Sequence, residues 1–179
     1  MFCDALLAKP ARTLALLLVA AGMAACAADT PPSGQPSFYR SMASANAELD
    51  GQTAASMISG YRQNNGLGPV ALDPELTRLA DAQARAMAAR DKVDSNAVGA
   101  LPERIRRARL DTKVAAENIS AGYHTLAEAF SGWRDSPPHR KNMLLQGATR
   151  MGIAAVYAPN SKYKVFWSLI LAAPDERRG

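Results

Sequence analysis

Both histidines of the chain, His124 and His139, fall between Ala116 and Leu144, in the stretch AENISAGYHTLAEAFSGWRDSPPHRKNML, together with Glu117, Glu128 and Asp135. Imidazole and carboxylate are the side chains that ligate divalent metals and move protons near neutral pH. A catalytic zinc normally takes three protein ligands, usually two or more of them histidine. A glycoside hydrolase instead needs two carboxyls held a defined distance apart across a sugar-sized cleft, and Glu117 with a second acid is the pair available for that chemistry. Ser136 stands close before His139, but it also precedes Pro137 at a helix start, where its hydroxyl is expected to cap, and no G-x-S-x-G sequence is present. The competing reading is structural. Glu117 and His139 would form a hydrogen-bonded pair that ties a strand to a helix, because buried polar groups stabilise a fold only when satisfied.

The elements that must position these residues follow from periodicity and caps. Ala54, Met57, Ile58 and Tyr61 fall at helical spacing, so a first helix is expected from about Thr53 to Asn64, where Asn64-Asn65-Gly66 supplies a stop. Asp73-Pro74-Glu75 opens a second helix that puts Leu76, Leu79, Ala80, Gln83 and Met87 on one face and reaches about Arg90. Residues 91–99 read as a loop. Leu101, Ile105 and Ala108 predict a short helix with Arg104, Arg106, Arg107 and Arg109 on its other side, expected as a solvated face, with a patch for anionic polymers or lipid headgroups as the alternative. Lys113 to Ser120 is expected to be extended and to carry Glu117 into the fold.

Thr125-x-x-Glu128 ahead of Leu126, Phe130 and Trp133 is a capping box at the start of an amphipathic helix, which gives Glu128 a structural task and Trp133 a core position. Ser136-Pro137 then starts another helix with His139 in its first turn, where the helix dipole disfavours imidazolium. Arg150 to Tyr157 and Tyr163 to Leu171 form a hairpin about Pro159-Asn160-Ser161. Its second strand is apolar on both faces and must be covered by helices on both sides. The fold class is therefore α+β, a three-layer α-β-α sandwich on a mostly antiparallel sheet.

The N-terminal end carries a different kind of signal. Lys9 and Arg12 precede an apolar run from Leu14 to Ala21, too short for a membrane span and suited to an export signal. It ends in Met23-Ala24-Ala25-Cys26, which resembles a bacterial lipobox, so Cys26 is the expected lipidation site; cleavage as an ordinary signal after Ala25-Cys26-Ala27 is the alternative. Ala27 lacks the acid that often retains lipoproteins at the inner membrane, which favours an outer-membrane address facing the periplasm or cell surface. The organisation expected is a signal peptide over 1–25, a lipidated cysteine and Pro-rich tether over 26–40, a folded domain over 41–173 and a tail over 174–179. Only Cys3 and Cys26 exist, so the folded part holds no disulfide framework and no Cys/His metal spacing. The net charge of +5 comes with no nucleic-acid motif, and the membrane, with an envelope glycan or lipid, is the expected partner.

Glu117-Asn118-Ile119, then a helix ending in Trp133, then Ser136-Pro137-Pro138-His139-Arg140-Lys141-Asn142-Met143-Leu144 form an ordered set. This set resembles the signature of the CAP superfamily (cysteine-rich secretory, antigen 5 and PR-1 proteins, with an SCP-like domain), in its bacterial branch, and the resemblance runs from about Thr53 to Leu171. It implies the three-layer sandwich and a cavity lined by two histidines and two acids, where some members hold a divalent metal. Carried over, these are Glu117 and His139, either Glu128 or Asp135 as second acid, and Ser95, with Asn96 as the alternative, at the place of the first histidine. A weak zinc site at Glu117 and His139 is what remains of the metal reading. Leader and resemblance together point to an exported, lipid-anchored CAP-domain binding module at the bacterial envelope, with a degenerate metal-dependent or glycosidase-like hydrolase of envelope peptide or glycan as the alternative.

Overall fold

The structure, a computed structural model, describes residues 34–175. The expected signal peptide, the lipidation site Cys26 and most of the tether lie outside the described residues, as does most of the tail. In chain order the elements are α1 (Gly51–Gln63), β1 (Ala71–Leu72), α2 (Pro74–Arg90), α3 (Leu101–Arg107), β2 (Val114–Ala121), α4 (Leu126–Asp135), α5 (Pro137–Met143), β3 (Arg150–Tyr157) and β4 (Val165–Ala173). Ser37 Oγ donates to Asp50 Oδ2 at 2.8 Å, and Phe38 packs on the core, so the chain is already tied to the domain before residue 40.

Local chemistry explains most helix starts. Asp50 and Asp73 accept the backbone N–H groups of Thr53 and Leu76, each at 2.9 Å, satisfying donors that a helix N-terminus leaves free. The capping box of α4 is complete, with Glu128 Oε2 accepting from Thr125 N–H and Thr125 Oγ1 accepting from Glu128 N–H. Ser136 differs from expectation. It is the N-cap of α5, but its hydroxyl makes no capping bond. Ser136 is also the last cap of α4, and Pro138 at the second helical position has no N–H to give it.

The sheet has the order β1-β3-β4-β2, with β1 parallel to β3 and the other pairs antiparallel. β1 was not anticipated, and the hairpin's second strand runs two residues later than expected because Lys164, at φ 63°, belongs to the turn. All of β4 is buried, and its alternation sorts the layers. Val165, Trp167, Leu169 and Leu171 face a core built with α1, α4 and α5. Phe166, Ile170 and Ala172 face α2 and α3. Trp133, 1% exposed, meets Trp167 edge to face at 6.3 Å between ring centroids, which bears out its reading as core. The result is the three-layer α-β-α sandwich.

Two contacts fix the layers to the sheet. Arg62, 1% exposed, donates from Nε to Gly68 O and from its Nη atoms to Met143 O, Leu145 O and Ala148 O, all at 2.9 Å, so α1 holds the end of α5 and the chain leading into β3. On the opposite layer α2 lies directly on the backbone of β3. A Cβ at Gly152 would sit 2.1 Å from the Leu76 carbonyl carbon and 2.2 Å from the Thr77 nitrogen. Gly152→Ala is therefore expected to push α2 off the sheet and cost at least about 1 to 3 kcal/mol, as overpacking does. Urea denaturation measures this, and an unchanged midpoint would show that α2 does not rest on that backbone.

Candidate functional site

The side chains of β2 point alternately to the two layers, and this separates residues that adjoin in sequence. Glu117 faces α3. Its Oε2 accepts from Arg104 Nη2 at 2.5 Å and its Oε1 from Ser168 Oγ at 2.8 Å, with the two charged side chains only 3% and 7% exposed. Arg104 also donates from Nη1 to Leu79 O. Asn118 faces α5. Its Nδ2 donates to the backbone carbonyl of His139 at 2.9 Å, and Asn142 Nδ2 donates both to Asn118 Oδ1 at 2.9 Å and to Glu117 O at 3.0 Å.

The strand-to-helix tie is thus made, but by Asn118 and Asn142. The expected Glu117–His139 pair is absent, because the two side chains lie in different layers of the sandwich. Burial pushes the Glu117 carboxyl above its ordinary value, outweighing the pull of Arg104 and Ser168 in the other direction. Burial likewise pushes the half-buried His139 imidazole down, so it stays neutral, as its place in the first turn of α5 suggested.

The other expected cavity residues are scattered. Ser95 and Asn96 are exposed in the loop after α2, whose backbone is held by Gln83 Nε2 donating to Asp94 O at 2.6 Å. Glu128 is exposed and spends one oxygen on the N–H groups of His124 and Thr125. Asp135 is exposed and makes a two-oxygen pair with Arg134. Among the described residues no three of His, Cys, Asp and Glu come together. The residues present do not fit a zinc ion at Glu117 and His139: both Glu117 oxygens are already bonded, and the imidazole is on the far side of the sheet. A glycosidase-like pair fails on the same ground, since Glu128 and Asp135 belong to α4 in the layer opposite Glu117.

Arg104 was expected on a solvated face, yet it is 4% exposed. The spacing carried the signal: Arg104 is three residues after Leu101 and four before Ala108, on the apolar stripe. Ser168 could have been found as the one hydroxyl in a strand that is otherwise apolar on both faces. Arg62, four residues after Ile58, carried the same signal as Arg104.

The model of the CAP family, described as the cysteine-rich secretory protein family, matches residues 55–171. The uncharacterized protein YkwD of Bacillus subtilis is 31% identical over 131 residues, 65% of this chain and 51% of that protein, so the chain spans about half the length of that relative. Two solved structures are similar in fold. An extracellular protein containing an SCP domain from Bacillus anthracis has a TM-score of 0.59 and 23% identity over 68% of this chain and 39% of its own. An outer surface protein of Borrelia burgdorferi has a TM-score of 0.62 and 16% identity over 70% of this chain and 93% of its own.

The buried pair makes a double-mutant test. Arg104→Met leaves Glu117 without its cation and is expected to cost about 3 to 5 kcal/mol, whereas adding Glu117→Leu removes the stranded acid and should recover most of that loss. Equal denaturation midpoints for the single and double variants would contradict the pairing.

The pH dependence of His139 has a definite sign. Its folded pKa lies below the unfolded 6.5, so the stability it contributes is present above 6.5 and lost as pH falls through that value toward the lowered one. Glu117 runs oppositely, with stability present below its unfolded value of 4.5 and lost as pH rises through the raised one. His139→Gln keeps Glu117, so subtracting the two unfolding curves isolates the histidine. Wild type should lose stability relative to the variant between about pH 7 and pH 5; parallel curves would place His139 in solvent.

Proposed function

The chain belongs to the cysteine-rich secretory protein family, and from that membership we propose that it is an exported, lipid-anchored binding module of the bacterial envelope that performs no chemistry at Glu117 or His139. One observation carries the reading: Glu117, Asn118 and Asn142 of the family signature are used to hold the fold together. Glu117 gives both oxygens to Arg104 and Ser168, and Asn118 and Asn142 join β2 to α5. A general acid or base must reach a substrate proton within hydrogen-bond distance, and the Glu117 side chain is buried between Arg104 and Ser168, 7% exposed, away from any such proton.

One further observation supports the location: the solved structures similar in fold include an extracellular protein and an outer surface protein. Attachment would then come from the lipobox-like Cys26, with Ala27 favouring the outer membrane. The partners would be the membrane itself and an envelope glycan or lipid.

Radiolabelled palmitate is expected to enter the wild-type chain and not Cys26→Ser, and only the wild type should float with membranes in a density gradient. The purified protein should sediment with cell-wall sacculi or with lipid vesicles and leave their composition unchanged. Equal labelling of both chains would remove the anchor, and release of soluble peptide or sugar from sacculi would overturn the non-catalytic reading.

A further inference from the structure

β1 covers only the beginning of β3. Ala71 N–H donates to Thr149 O at 2.9 Å and Asp73 N–H to Met151 O at 2.8 Å, and there the pairing stops. Past Met151, β3 continues as Ile153-Ala154-Ala155-Val156-Tyr157. Because Met151 turns its backbone toward β1, the residues of the same parity, Ile153, Ala155 and Tyr157, turn their N–H and C=O groups to that same edge. Among the described residues none of these groups has a partner on that side.

The open edge is recessed. Two clefts run along it, of about 490 and 380 Å³, the first lined by Ile153, Ala154 and Ala155 and the second by Ala155, Val156 and Tyr157. One wall is α2, with Thr77, Asp81 and Arg85; the other is the segment before α1, with Ala47 and Leu49. Exposed edges are usually blunted by charge, proline or a bulge, and this one carries no charged residue.

We propose that the edge of β3 from Ile153 to Tyr157 is a docking site for one extended, uncharged segment of another protein, which pairs with the sheet in the row that β1 leaves. Only a polypeptide backbone offers alternating donors and acceptors at strand spacing, over the roughly 17 Å that five residues span. The cationic side chains on the α2 wall are already matched, Arg78 with Glu75 and Arg85 with Asp81, so a charged segment gains little there. Ile153, Leu49 and Leu72 make one end apolar and suit a medium-sized apolar side chain. A second copy is disfavoured, because two recessed edges meet at their walls before the strands close to about 4.8 Å.

The test uses the full-length chain. In the free protein the amides of Ile153, Ala155 and Tyr157 should exchange with deuterium faster than those of Ala154 and Val156, which face β4. Short random peptides displayed on phage are selected on the wild type and screened against Ala155→Pro, which removes one edge donor at a position where strands tolerate proline. A selected peptide should bind wild type at least about tenfold more tightly than the variant and should slow the three edge amides. Because proline also restricts the backbone of β3, the peptide is in addition N-methylated at alternate positions in its two frames. One frame should abolish binding and the other leave it unchanged. Loss in both frames alike, edge amides already slow in the free protein, or no peptide that distinguishes wild type from the variant would overturn the proposal. Concentration-dependent dimerisation protecting the same amides would assign the edge to a second copy and overturn it equally.

Discussion

A strand buried on both faces governs this molecule. β4 exposes none of its nine residues, so neither side of the sheet can be left to water, and helices must lie on each. The three layers follow from that requirement. So does the need to pair the polar groups of the strand itself: Trp167 Nε1 donates to Tyr123 O. Ser168 in its middle needs an acceptor, Glu117 supplies one, and the carboxylate in turn needs Arg104 from the helix layer. A chain of polar residues thus passes from the sheet to α3 without meeting solvent.

That chain is not the same thing as stability. Taking a guanidinium and a carboxylate out of water costs several kcal/mol each, and their attraction in the interior returns this only when geometry is good and the remaining donors and acceptors are met. Here both Glu117 oxygens are met, while Arg104 Nε is buried with no partner among the described residues. The pair is better understood as fixing where α3 sits against β2 than as a net source of folding energy. Arg62 acts differently, since its partners are carbonyls at and after the end of α5, where the helix leaves acceptors free and the dipole favours a cation.

Much of this was legible in the residues. The caps at Asp73 and Thr125, the helix faces of α2 and α4, the hairpin and the double-sided burial of β4 all follow from local spacing, and local spacing is what a linear pattern records. The misses share a different cause. Which layer Glu117 faces depends on the register of β2 against β4, a long-range property, and a one-residue difference separates it from Asn118 and from His139. Arg104 and Arg62 occupy apolar positions by spacing, but their chemistry argued for solvent; a buried cation is recognised only once its carboxylate or carbonyl partners, far away in sequence, are known. The signature marked the right region but not the contacts its residues make, because asparagines and glutamates that lock a fold have the same letters as those that serve a ligand.

The clamp at Arg62 also sets an order of events. Three of its four carbonyl partners lie 81, 83 and 86 residues further along the chain. A polypeptide emerging from its N-terminal end can form α1 early, but it cannot lock that helix until the segment leading into β3 has followed. Closing so long a loop delays reward for the entropy already spent, and topologies rich in such contacts fold slowly. Until then water satisfies the Arg62 guanidinium, and its desolvation is deferred to the moment at which the carbonyls of Met143, Leu145 and Ala148 replace that water.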